Sequence, residues 1–125
     1  MKVSELSPKA EFVLVRSRAA HELGRGAECE ACGEIEPLML GRFNTRIVCL
    51  ECEAVRRGAS PYHDHHIGGR APGTRTVLVG ANVHAVLTLL QTCFWKGRYE
   101  PGSSYAVAFD LAAYLAYVAG SGSAE

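Results

Sequence analysis

The chain has no excess of either charge: thirteen Lys and Arg stand against thirteen Asp and Glu. No global positive field therefore points to a nucleic-acid or membrane-surface partner. Long apolar runs are missing too. The most apolar stretch, Ala106 to Ala119, is interrupted by Asp110 and falls short of the roughly 20 residues that cross a bilayer, so it reads as a buried helix and no membrane partner is expected. The segment Met1 to Leu6 has no apolar run followed by a small-residue cleavage site, which leaves a secretory leader without support. No internal repeat is visible. Composition does not point to disorder: 48% of the residues are apolar and 21% are charged, enough to fill a core.

What is present is compact in extent. A length of 125 residues fits one domain and excludes two large independent ones. Five cysteines, four of them in paired spacing, suit a reducing cytoplasm with metal-held thiolates better than a disulfide framework. Charge is uneven locally: from Gly41 to Arg98 eight basic side chains face only Glu51, Glu53 and Asp64.

Local signals divide the chain into four parts within a single domain, residues 1–25, 26–58, 59–97 and 98–125. Ser7-Pro8 reads as a helix cap followed by proline at the first helical position, and Gly24 as the stop. Between them Phe12, Val15, Ala19 and Leu23 recur at helical spacing. Strand-like segments at Pro37 to Leu40 and Thr45 to Val48, with a turn at Gly41, predict a hairpin, and a helix from Glu51 to Arg57 ends at Gly58. A loop rich in Gly, Pro and His carries a short strand near Tyr62 to Ile67, which is expected to pair with Thr76 to Val79. Helices follow from Asn82 to Trp95, closed by Gly97, and from a cap at Ser103 or Ser104 to Gly120, with a frayed tail beyond.

Cys29-x-x-Cys32, sixteen intervening residues, and Cys49-x-x-Cys52 form the strongest motif. Each pair turns two sulfurs toward one point, and the hairpin brings the two pairs together, so the spacing predicts one structural zinc ion with no open coordination position. Cys93 falls on an apolar helical face and reads as core.

The second cluster is Tyr62-His63-Asp64-His65-His66-Ile67-Gly68-Gly69-Arg70, with Asn82-Val83-His84 downstream. Strand alternation sends His63 and His65 to one face and Asp64 and His66 to the other. At these residues the sequence resembles the HNH endonuclease superfamily over about residues 29 to 95. The resemblance implies a β-hairpin followed by a helix gripping a divalent ion. By position it assigns His65 and His84 as ligands, Asp64 as an outer-shell group or alternative ligand, and His66 as general base. The ion it implies is Mg²⁺, Mn²⁺ or a second Zn²⁺, and the partner is nucleic acid, in particular DNA. Arg70 and Arg75 are the expected phosphate contacts. The family's middle asparagine has no counterpart, since its place falls at Thr74 to Thr76. The bland alternative makes His63, His65 and His84 a second structural zinc site or a set of loop hydrogen bonds.

The expected architecture is α+β: a zinc-knuckle hairpin leading into a ββα-metal core, flanked by N- and C-terminal helices. The expected function is metal-dependent hydrolysis of phosphodiesters in DNA, with a non-catalytic zinc-binding module for nucleic-acid or protein interaction as the alternative. The last helix is a candidate surface for self-association or a larger assembly.

Overall fold

A computed structural model describes residues 6–95 and 99–122. The first helix, α1 (Pro8–Leu23), begins and ends where the sequence places it. The Ser7 hydroxyl accepts from the Ala10 N–H at 3.2 Å, and Gly24, at φ 96°, closes the helix. A tight helical turn (Pro37–Met39) then wedges between α1 and the third helix. This turn replaces the strand expected from Pro37, because proline fixes its first φ at a helical value and removes a ladder donor.

The four-cysteine half is an antiparallel hairpin of β1 (Leu40–Phe43) and β2 (Arg46–Cys49), followed at once by α2 (Leu50–Arg56). The turn lies at Asn44, not at Gly41. Asn44 takes φ 59°, a left-handed value that asparagine tolerates. Gly41 sits inside β1, opposite Val48, where any Cβ would lie 2.7 Å from the Phe43 ring. Around the hairpin Cys29, Leu40, Val48 and Cys49 are buried, with Leu23, Ala27, Phe43 and Ile47 packed against them.

The second half is a strand pair and a helix. β3 (Tyr62–His66) pairs antiparallel with β4 (Thr76–Gly80), Tyr62 opposite Gly80 and His66 opposite Thr76. β4 runs directly into α3 (Ala81–Trp95), so the order is strand, strand, helix. On α3 the side chains of Val86 and Leu87 are fully buried, and the helix packs on α1, the Pro37 turn and the last helix, α4 (Ser104–Gly122). Ser103 caps α4, its hydroxyl accepting from the Ala106 N–H at 3.2 Å. The helix continues past Gly120 to Gly122, the expected stop at Gly97 falls outside the described residues, and so does the end of the tail. Phe94 and Trp95 meet Phe109 across the α3–α4 contact, with ring centroids 5.5 and 6.3 Å apart. The architecture is α+β with two small antiparallel sheets. Among the described residues no helix is long and apolar enough to cross a membrane.

A reciprocal pair of hydrogen bonds joins the two halves. The Glu51 N–H donates to Asn82 Oδ1 at 3.0 Å, and the Asn82 N–H donates to Glu51 Oε2 at 3.1 Å. A carboxylate at the start of α3 satisfies an otherwise orphan donor and complements the helix dipole. Gly80 makes this approach possible, since a Cβ there would meet the same Glu51 oxygen at 2.5 Å.

Candidate metal centre and histidine face

The four paired cysteines converge as their spacing predicts. One ligand atom from each of Cys29, Cys32, Cys49 and Cys52 lies within 4.8 Å of the others, and the Sγ atoms of Cys32 and Cys49 are 3.7 Å apart. Two sulfurs at about 2.3 Å from one zinc in a tetrahedron stand roughly 3.8 Å apart, so the cluster fits that ion. The knuckles are built by the backbone. The Gly33 N–H donates to the Cys29 carbonyl at 2.9 Å with Gly33 at φ 83°, and the Glu30 N–H donates to the Ile47 carbonyl at 3.0 Å, pinning the first knuckle to β2. Cys49 both caps α2 and accepts from the Cys52 N–H at 3.4 Å.

The sulfurs differ electrostatically without a metal. Burial pushes the Cys29 thiol up, but backbone hydrogen bonds from Cys49, Cys32 and Ala31 outweigh it and bring the thiol down to about 6. Burial raises the Cys32 thiol. A hydrogen bond with the Cys49 sulfur, together with burial, raises that of Cys52. Cys93 is buried in the core, as its helical position predicts.

The histidines divide by strand alternation. His65 is buried and its Nε2 sits 2.9 and 2.8 Å from the two oxygens of Asp110, a fully buried carboxylate on α4. The Gly68 N–H donates to the same carboxylate at 2.8 Å. Nε2 donates to the Asp110 carboxylate, which leaves Nδ1 as the nitrogen that can exchange a proton or ligate an ion. The approach of α4 depends on Gly68 and Gly69. A Cβ on Gly68 would lie 2.6 Å from Val107 and one on Gly69 2.8 Å from Trp95, and both residues have positive φ, at 83° and 90°.

His84 stands in the first turns of α3, half-buried, and turns toward His63 on β3: their Nδ1 atoms are 3.1 Å apart and the rings meet edge to face at a centroid distance of 4.9 Å. The His65 ring is 5.5 Å from that of His84. Burial lowers the proton affinity of His84, and repulsion from His65, His63 and Arg70 adds to it against attraction from Asp110. His65, His84 and Asp64, the expected ion-holding set, do not form a tight group. Among the described residues the four cysteines are the one group of three or more His, Cys, Asp or Glu ligand atoms lying within 4.8 Å of one another. The reason is that His65 points its Nε2 at Asp110 while His84 points its Nδ1 at His63. His66 is half-buried, and its Nδ1 is buried without a hydrogen-bond partner.

Asp64, His65, His66, Arg70, His84 and Gln91 line a shared open cleft of about 530 Å³. Arg70 and Arg75 are exposed and enter no ion pair among the described residues. Four arginines on and around the four-cysteine hairpin are engaged within the fold. Arg16 pairs with Glu36 at 2.8 Å, Arg46 with Glu30 at 2.8 Å and Arg56 with Glu53 at 2.6 Å, while Arg42 donates to the Leu23 carbonyl at 3.2 Å. The Arg56 contact holds the Glu53 carboxyl below the usual carboxylate range.

The sequence pattern did not identify Asp110 as part of this site. Its one signal was an acid interrupting an otherwise apolar helix, which marks a buried charge in need of a partner without naming the partner. No family model, no curated protein and no solved structure matches the chain.

Proposed function

We propose that this protein is a metal-dependent phosphodiesterase of the HNH type acting on DNA, with the four-cysteine element holding zinc as a structural brace. The observation that carries this reading is the Asp110–His65 pair beside an open cleft, on a strand pair that leads straight into a helix bearing His84. A carboxylate-held imidazole with one nitrogen free is what proton abstraction from water asks of a side chain. Asp110 therefore supports His65 as the general base ahead of His66, which has no comparable partner. Arg70, lining the same cleft, supplies the donors that recognise a phosphate. A divalent ion held beside His84, when bound, would activate water and offset charge on the phosphate oxygens.

The second reading, a non-catalytic zinc-binding module for nucleic acid or protein, is favoured by the failure of Asp64, His65 and His84 to draw together. Supercoiled-plasmid nicking with added Mg²⁺, Mn²⁺ or Zn²⁺ separates the two. Hydrolysis predicts metal-dependent nicking that His65→Gln lowers by about 10²–10⁴-fold. It also predicts that His66→Ala lowers nicking far less. Absence of nicking with every ion, in a protein that still shifts DNA on a gel, rejects the catalytic reading in favour of the module.

A further inference from the structure

We propose that His63 and His84 form a second metal site, distinct from the four cysteines, that takes one divalent transition ion through their two Nδ1 atoms. The inference deepens the hydrolytic reading by naming the class of ion. It rests on that reading for the ion's use, though not for its binding.

The placement follows from topology. β4 passes into α3 with no connecting residue, so the first turns of the helix fold back beside β3, where His63 lies opposite Val79. His84 thereby meets His63 from across the strand pair, and the two Nδ1 atoms come to 3.1 Å. Two nitrogens at about 2.0–2.1 Å from one ion stand roughly 3.0 Å apart at a right-angled edge and roughly 3.4 Å apart in a tetrahedron. The observed separation falls between these values. The rings meet edge to face at an interplanar angle of 72°, with the two Nδ1 atoms on the facing edges.

A direct N–H···N bond between the rings is the competing account of the same distance. Such a bond has little to gain at this position: His63 is exposed, and in water a neutral hydrogen bond contributes only about 0.5–1.5 kcal/mol.

The donor set selects the ion. Imidazole suits Zn²⁺, Co²⁺, Ni²⁺ and Cu²⁺, whereas Mg²⁺ prefers oxygen ligands in a strict octahedron. Two protein nitrogens leave several coordination positions to solvent, as a site that handles a substrate requires and a closed structural site does not. The His65 ring, 5.5 Å from that of His84, stands within reach of a water in such a position. His63 lies outside the ligand set that the string resemblance assigns, so its participation is a specific test of this geometry.

The experiment uses the full chain carrying one equivalent of zinc and titrates it with Co²⁺, followed by calorimetry and visible absorption. The expected result is a further equivalent of Co²⁺ bound with weak ligand-field bands and no new sulfur-to-cobalt charge-transfer band. Each of His63→Ala and His84→Ala should weaken that equivalent at least about tenfold. His63→Asn is the second variant, used if His63→Ala alters the far-ultraviolet circular dichroism. Binding of no further equivalent, or a His63 variant that binds it as tightly as the parent, overturns the proposal. Parallel plasmid nicking keeps the two readings apart. Co²⁺ binding lost with His63 but no nicking by any ion sustains this site and removes the hydrolytic function. Nicking with Mg²⁺ in a protein that takes no second transition ion does the reverse.

Discussion

At the scale of single residues, Asp110 carries the largest consequence. It is fully buried, accepts from His65 and from the Gly68 N–H, and so ties α4 to both the strand and the loop of the histidine face. Removing one partner of a buried pair leaves the other desolvated and uncompensated, which costs about 3–5 kcal/mol. Asp110→Ala is expected to lower stability by that amount in urea unfolding, and Asp110→Asn by less, since the amide oxygen can still accept one of the two bonds. Gly68→Ala should also destabilise, by about 1–3 kcal/mol, through its positive φ and through the overlap of the new methyl with Val107. Thermal melts of the pair Gly68→Ala and Gly73→Ala check the cause. Gly73 shares the positive φ but a Cβ there meets nothing within 4 Å, so the difference between the two variants isolates the packing conflict.

At the scale of elements, the four-cysteine hairpin has a pH dependence whose direction follows from its thiols. Cys32 and Cys52 hold their protons more firmly than a free thiol before metal arrives, whereas Cys29 sits near 6. Zinc must displace at least the two protons on Cys32 and Cys52 at neutral pH, so its affinity falls by about a hundredfold or more for each unit of acidification there. Competition against a chromophoric chelator at two pH values measures the slope, and calorimetry in buffers of different ionisation enthalpy counts the protons.

Much of this level was legible beforehand. Ser7-Pro8 and Gly24 bounded α1, the paired CxxC spacing named the sulfurs, and the β-branched run at Thr76 to Val79 found its partner strand. The sequence puts the hairpin turn at Gly41 and the structure puts it at Asn44, because glycine is the stronger turn signal as long as the Phe43 ring over it is unknown. The His65–Asp110 bond spans 45 residues, and no local pattern encodes which buried acid meets which imidazole. That His63 and His84 meet is among the alternatives the sequence leaves open, and the choice between them depends on how tightly α3 follows β4.

At the scale of the whole molecule, electrostatics decides where a polyanion could be held. Arg16, Arg46, Arg56 and Arg42 are occupied by Glu36, Glu30, Glu53 and the carbonyl end of α1, whereas Arg70, which lines the cleft, and Arg75 on the same loop are exposed and enter no ion pair among the described residues. If DNA binds through them, the double variant Arg70→Ala, Arg75→Ala should flatten the dependence of log K on log salt by about two. Fluorescence anisotropy with a labelled duplex at several salt concentrations reads that slope, and an unchanged slope moves the contact elsewhere. An even overall balance of charge hid this distribution from composition alone.

The paired bonds between Glu51 and Asn82 couple the start of α2 to the start of α3. A brace loosened at α2 frees the opening turn of α3 as well, so heating should give a single cooperative melt in place of two staggered steps. A protein stripped of zinc would then surrender the alignment of an imidazole at position 84 that no sulfur touches.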